Sequence, residues 1–289
     1  LVREAASVAG QRVNDAATLG DTTWYATDAG LYLAQKDQDP ARHADYGVGG
    51  PLATRITALT ADAAGNLWTG TPLGLSRRAP DGTWSHLRGS EGLPVESITA
   101  LAAAPEGEIW IGTEAGAICY LPEAEGRKWF YRAGKRYLPD DTVRGIAVDP
   151  KGEAVYFLTE AGVSSLELQT TTLLARAQEI ERLVNERHRR EGMVAACTLG
   201  DKWPKGYNIH DNDNDGLWTA YHVAAMSLCY GATHDPAAKA SARESMHALY
   251  MLQNISGTPG LVARSVLPNE EGAKRGPQWR PADDGIHYW

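Results

Sequence analysis

One short motif recurs four times in the first half of the chain, and it limits the fold more than any other feature. The copies are Trp24-Tyr-Ala-Thr-Asp-Ala-Gly30, Trp68-Thr-Gly-Thr-Pro-Leu-Gly74, Trp110-Ile-Gly-Thr-Glu-Ala-Gly116 and Tyr156-Phe-Leu-Thr-Glu-Ala-Gly162. Their closing glycines lie 44, 42 and 46 residues apart. Upstream of three copies sits a second shared element: Ile56-Thr-Ala-Leu59, Ile98-Thr-Ala-Leu101 and Val143-Arg-Gly-Ile146. A glycine turn follows each, at Gly65, Gly107 and Gly152. The unit therefore reads as strand, Gly turn, aromatic strand, Thr-x-x-Gly turn, strand and a variable connection. Glycine supplies the positive φ that tight hairpins need, and aromatic and β-branched residues suit a half-buried pleated surface. A period of about 40–45 residues made of short strands is the signature of β-propeller blades. No 3.6-residue periodicity runs through this half, which excludes a solenoid of helix pairs.

These repeats resemble the two-component-regulator type of propeller repeat, whose core is Trp-x-Gly-Thr-x-x-Gly-Leu with an upstream Gly-Leu-Pro. Trp68 to Leu75 matches in full, Trp110 to Gly116 nearly so, and Gly92-Leu93-Pro94 supplies the upstream piece. Ala26 and Leu158 replace the first glycine in the outer copies. The resemblance spans residues 20–168 and implies about four blades, with Trp24, Trp68 and Trp110 as blade core. Four blades make either a small or open propeller, or part of one completed by polypeptide outside this chain. It implies little about activity, because propellers host many functions.

The remainder, 171–289, changes character. Leu173, Ala177, Ile180 and Val184 recur at helical spacing and predict an amphipathic helix over roughly 171–190. A short apolar strand is expected over 192–199. A second helix is expected from about Leu217 to Tyr230, ended by Gly231, with Leu217, Tyr221, Ala224 and Leu228 as its core face. A third opens at Asp235-Pro236 and runs to about Gln253. The short link makes these two an antiparallel pair, which sets the loop before the second helix beside residues 256–265.

That loop holds the residues best suited to chemistry: His210-Asp-Asn-Asp-Asn-Asp-Gly216. Three readings stay open. Asp211, Asp213, Asp215 and Gly216 fit the start of a calcium loop, but His222 stands where the closing Glu belongs. Alternatively, Asp213 or Asp215 acts as an acid/base with His222 as proton carrier. The third reading is a polar cap for the following helix. Trp218, Thr219 and His222 share a face with Asp215, and an indole beside a carboxyl suits a sugar, the first stacking and the second protonating. Tyr221, His210 and Arg264 complete the substrate-binding set. Arg264 serves equally as a clamp on an anionic group or as a partner for the acidic loop.

The helix pair, the acidic loop and Gly260-Leu-Val-Ala-Arg264 resemble part of an (α/α) toroid of the kind found in carbohydrate-active enzymes. The fold expectation is thus multidomain β + α: propeller blades over 1–170, then an incomplete helical toroid segment over 171–289. The resemblance implies an exported enzyme that cleaves glycosidic bonds of a polysaccharide or oligosaccharide, by hydrolysis or elimination, in the periplasm or outside the cell. The alternative is an extracellular ligand-binding sensor or interaction region with no catalysis. Three helices cannot close a toroid, and the acidic, aromatic stretch from Asp283 to Trp289 reads like the middle of a site. A companion polypeptide completing the toroid or propeller is therefore expected.

Composition narrows the rest. A net charge of −8 argues against nucleic-acid binding, which needs a basic surface. No apolar run is long enough to span a membrane. The chain opens on Leu1 with no signal-peptide pattern, as a processed product would. The three cysteines have no metal-ligand spacing and read as buried free thiols. Calcium or another divalent cation is the cofactor expectation. No organic cofactor is expected, since neither a Walker loop nor a Rossmann fingerprint occurs.

Overall fold

Each repeat folds as a hairpin, and its threonine and glycine are the reason. In every copy the threonine hydroxyl donates to the carbonyl of the glycine three residues on: Thr27 to Gly30 at 2.7 Å, Thr71 to Gly74 at 3.0 Å, Thr113 to Gly116 at 2.7 Å and Thr159 to Gly162 at 2.9 Å. In the first three the same oxygen accepts the amide two residues on, from Ala29, Leu73 and Ala115. The four glycines have φ between 128° and 138°, a region that side chains with a Cβ rarely adopt.

The computed structural model describes residues 7–289 apart from 9, 37, 44, 45, 168 and 201–205. The chain divides into two units, Leu1–Thr170 and Thr171–Trp289. The first unit contains four antiparallel sheets. Blade one comprises Ser7–Val8, Gln11–Leu19, Thr22–Thr27, Gly30–Gln35 and Ala41–Arg42. Blade two comprises Ala58–Ala61, Leu67–Thr71, Gly74–Arg78 and Trp84–Leu87. Blade three comprises Ile98–Ala103, Ile109–Thr113, Gly116–Tyr120 and Trp129–Arg132. Blade four has three strands, Val143–Val148, Ala154–Thr159 and Gly162–Glu167.

Three clusters glue the blades in sequence order. Trp24, Leu31, Ile56 and Leu67 join blades one and two; Trp68, Leu75, Ile98 and Ile111 join two and three; Trp110, Val143 and Phe157 join three and four. The repeated tryptophans lie inside: Trp24, Trp68 and Trp110 are 4%, 1% and 4% exposed. The Trp68 indole also donates to Asp62 at 2.8 Å, so its one polar atom is satisfied. The first glycine of the motif is required by closeness. A Cβ on Gly70 would sit 2.4 Å from Ile98 Cγ2, and one on Gly112 would sit 2.7 Å from Val143 Cγ1. Polar stitches repeat as well: Asn14 Nδ2 donates to the Ile56 carbonyl, Thr57 Oγ1 to that of Ile98 and Thr99 Oγ1 to that of Val143, at 2.9, 2.6 and 2.5 Å.

The second unit is built on helices. α1 (Leu173–Arg187) starts at the Thr172 cap, whose hydroxyl accepts the Ala175 amide at 3.1 Å. Contrary to its amphipathic pattern, none of its residues is buried. α2 (Asp215–Thr233) runs through Gly231 and stops at His234, whose φ of 57° ends the helix. α3 (Pro236–Asn254) has Asp235 as N-cap and proline at its first position. α2 and α3 form an antiparallel hairpin, and Gly216 at the start of α2 permits close approach to Leu252 at the end of α3. Met193, Ala248, Leu252, Val266 and Ala282 form the core beneath them. The expected strand over 192–199 is two, Met193–Val194 and Ala196–Leu199; the latter pairs with Tyr207–His210. Leu267–Pro268 pairs with His287–Tyr288, and α4 (Asn269–Gly272) is a single turn. This arrangement stops short of a closed toroid. Cys119 is buried, and burial pushes its thiol up to about 11, whereas Cys197 and Cys229 are only half-buried rather than buried as expected.

The expected facing of α2 is reversed. Leu217, Tyr221 and Leu228 are 52%, 69% and 75% exposed, while Asp215, Thr219 and His222 are buried. Thr219 and His222 have all their side-chain polar atoms paired, and Asp215 has one carboxylate oxygen paired, which offsets much of the cost of their burial. Thr219 Oγ1 accepts the Val194 amide at 2.9 Å and donates to the Asp215 carbonyl at 2.6 Å.

Candidate functional site in the helical unit

The acidic loop leads from the strand Tyr207–His210 into α2. An Asx turn opens it: Asn212 Oδ1 accepts the Asn214 amide at 2.9 Å. The three aspartates then diverge to three separate partners. Asp211 pairs with Arg275. Asp213, at the surface, meets Arg264 Nη1 at 3.1 Å, with both side chains 71% exposed. Asp215 turns inward, is fully buried, and accepts from Ser265 Oγ at 2.5 Å and from the Asn212 amide at 3.1 Å. Burial raises the Asp215 pKa, while the Ser265 hydroxyl, the Asn212 amide and the nearby Arg190 charge oppose that rise. Asp215 Oδ1 has no hydrogen-bond partner, and neither has the buried Arg190 Nη1.

Divergence of the carboxylates bears directly on the calcium-loop reading. A hard cation needs six or more oxygens on one centre. Two of the three carboxylates are held by arginines and the third faces the interior. Among the described residues no group of three or more His, Cys, Asp or Glu side chains converges on one point, so the residues present do not fit the ion. The cap reading changes too: Asn214 is the N-cap and makes no side-chain cap bond, while Asp215 lies in the first turn.

Asp211 and Asp213 border a groove of about 540 Å³. Arg264, Ser265, Arg275, Trp279 and Trp289 line it as well. Both indoles are half-buried. Arg275 also reaches Glu271 at 3.2 Å, and Glu271 holds Arg190 at 2.5 Å. From Asp211 and Arg275 in the groove, an alternating row of acids and guanidinium groups thus leads through Glu271 to Arg190, near Asp215.

His222 belongs elsewhere. Its Nδ1 meets Ser245 Oγ at 3.0 Å and its Nε2 meets Glu181 Oε2 at 2.9 Å, so it links α1, α2 and α3. Burial pushes the Glu181 carboxyl up, but hydrogen bonds from His222, Ser241 and Asn185 outweigh it and hold the carboxyl low. The structure thus separates the residues grouped from sequence. Asp211, Asp213 and Arg264 share the groove; Asp215 lies behind it; His222 clamps the helices. Tyr221 is on the outer face of α2, and neither Trp218 nor His210 lines the groove. His210 Nδ1 instead lies 3.3 Å from the Asp211 carbonyl. Arg275, Trp279 and Trp289 were missed. Only Trp289 had a signal, the acidic, aromatic character of the stretch from Asp283 to Trp289.

Comparison with known proteins bears on the other unit. Residues 92–115 match the Two component regulator propeller model. That segment includes the upstream Gly92-Leu93-Pro94 and most of the third repeat. No curated protein matches the chain. Among solved structures it is similar to the extracellular domain of a hybrid two component system from B. thetaiotaomicron, at 22% identity and a TM-score of 0.44, over 52% of this chain and 21% of that one. A second extracellular domain from the same organism gives 18% identity and a TM-score of 0.37, over 55% and 28%. A gluconolactonase from Xanthomonas campestris gives 14% and 0.44, over 56% and 60%. The chain spans about a fifth of the first of these proteins. Likeness this low is no guide to activity or ligand.

Proposed function

We propose that this chain is the ligand-binding part of an extracellular or periplasmic sensor, in which propeller blades accompany a helical unit that takes up an oligosaccharide. The match to the two component regulator propeller supports the sensor class. The groove of the helical unit supports the ligand class, and one observation carries it: Trp279 and Trp289 line a single groove together with two aspartate–arginine pairs. Indoles stack on sugar faces, and carboxylates and guanidinium groups hydrogen-bond hydroxyls in defined directions. Binding is favoured over bond cleavage because glycoside hydrolysis uses two carboxyl groups flanking one bond. Here Asp211 and Asp213 are neutralised by arginines, and Asp215 is sealed behind Ser265.

Calorimetric titration of the chain with neutral and acidic oligosaccharides, beside an assay for released reducing ends and unsaturated products, tests the reading. The expected result is saturable binding, lost in Trp279→Ala, with no product. Product formation that disappears in Asp213→Asn would instead establish the enzyme reading.

A further inference from the structure

Among the described residues blade four is one strand short, and a buried polar atom on its open edge has no partner. Blades two and three each end in a fourth strand, Trp84–Leu87 and Trp129–Arg132. Blade four ends at Gly162–Glu167, and among the described residues nothing pairs with the outer edge of that strand. The repeat gives the correspondence: Thr71 faces Gly74 as Thr159 faces Gly162, so Ser76 and Ser164 occupy the same place. In blade two, Ser76 Oγ accepts the Leu52 amide at 3.1 Å and also meets Nδ1 of His86 at 3.1 Å, and His86 is the fourth-strand residue directly opposite it. In blade four, Ser164 Oγ is buried and has no hydrogen-bond partner. A buried hydroxyl left unpaired is costly and uncommon. An unpaired strand edge is also a template for another strand.

We propose that the edge Gly162–Glu167 takes up a β-strand from a separate polypeptide segment, adding the missing fourth strand of blade four. Register and chemistry follow from blades two and three. Trp84 and Trp129 stand opposite Arg78 and Tyr120, His86 and Tyr131 opposite Ser76 and Ile118, and Leu87 and Arg132 opposite Leu75 and Ala117. Transferred to blade four, the incoming strand runs antiparallel, with an indole opposite Leu166, a hydrogen-bonding ring opposite Ser164 and an aliphatic or long side chain opposite Val163. The pattern is Trp-x-His/Tyr-Leu/Arg. Main-chain bonds supply affinity and the ring opposite Ser164 supplies selectivity, as in other strand-addition complexes.

A synthetic peptide with the sequence of residues 82–89, which carries blade two's fourth strand, tests this on the whole chain. The peptide is expected to bind saturably and to slow amide hydrogen exchange in residues 163–167, and a scrambled peptide is expected to do neither. Ser164→Ala and replacement of the peptide histidine by alanine should each weaken binding about fivefold, and no further when combined. Ser164→Ala alone should leave melting unchanged, which separates lost recognition from lost folding. Absence of protection, or equal protection by the scrambled peptide, would overturn the proposal. Protection that grows with protein concentration alone would also overturn it, because a second copy would then be the occupant.

Discussion

The interfaces between blades and the inward face of α2 bury opposite kinds of residue. Between blades, each interface sets an indole among apolar side chains with a hydroxyl or amide stitch, and the second and third interfaces are also closed by a glycine. Between α2 and its neighbours, the inward face is Asp215, Thr219 and His222, while Leu217, Tyr221 and Leu228 look outward. The repeat unit carries everything its neighbour needs, so interfaces are completed locally and can be copied. The helical unit relies instead on polar groups far apart in sequence that satisfy each other, such as Asp215 with Ser265 and His222 with Glu181. Its outward apolar stripe is what a helix shows when more packing is to come.

The comparison is most easily broken in the blades. Trp68→Ala removes a buried indole and its bond to Asp62, and should cost about 3–5 kcal/mol in chemical denaturation. The half-buried Trp218, changed in the same way, should cost markedly less. Gly70→Ala adds a single methyl where Ile98 Cγ2 leaves no space, with an expected loss of about 1–3 kcal/mol. In the helical unit, Ser265→Ala leaves the buried Asp215 with one donor fewer and should cost about 1–2 kcal/mol, against almost nothing for Thr258→Ala on the exposed loop nearby.

These contrasts also explain what was legible beforehand. The blades could be read because Thr-x-x-Gly and the spaced tryptophans encode local geometry that repeats, down to the bond from each threonine to its glycine. One blade-four exception was legible as well: Leu158 replaces the close-packing glycine and is 51% exposed. The pairing of Arg144 with Glu160, where the other blades place a stitch to the next blade, was not. The helix faces could not be read. α2 is apolar on nearly every side, so periodicity could not say which side was inward, and the answer depended on partners 23 to 50 residues away. Of the groove, Asp211, Asp213 and Arg264 could be picked out, because the antiparallel pair brings the acidic loop to 256–265. Arg275 reaches Asp211 across 64 residues, and no local pattern announces that.

Two smaller effects sharpen the picture. His287 places Nδ1 at 2.6 Å from Asp284 Oδ2 and Nε2 at 3.4 Å from Glu191 Oε2. Burial lowers its pKa, but hydrogen bonds to Asp284 and Glu191 outweigh that and raise it above the ordinary histidine value. The His287 hydrogen bond chiefly holds Asp284 below the usual carboxylate range. For the histidine, the stabilisation is complete below its unfolded pKa and is lost as pH rises through the raised folded value. For Asp284, it is present above the unfolded carboxylate pKa and is lost as pH falls through the lowered one. The melting temperature of the helical unit should therefore decline on either side of a plateau between these limits, and the alkaline decline should flatten in His287→Gln. The smallest effect belongs to the outward stripe of α2: Leu217→Gln and Leu228→Gln should each change stability by no more than about 0.5 kcal/mol, while Leu252→Ala, on the inward side of α3, costs several times that.

The groove claim is tested most directly by hydrogen exchange of the whole chain, with and without a saturating oligosaccharide identified by titration. Slowed exchange is expected in residues 261–265 and 275–289, with the blades and the outer face of α2 unchanged. Slowed exchange confined to the propeller blades, with the groove segments unaffected, would contradict the account.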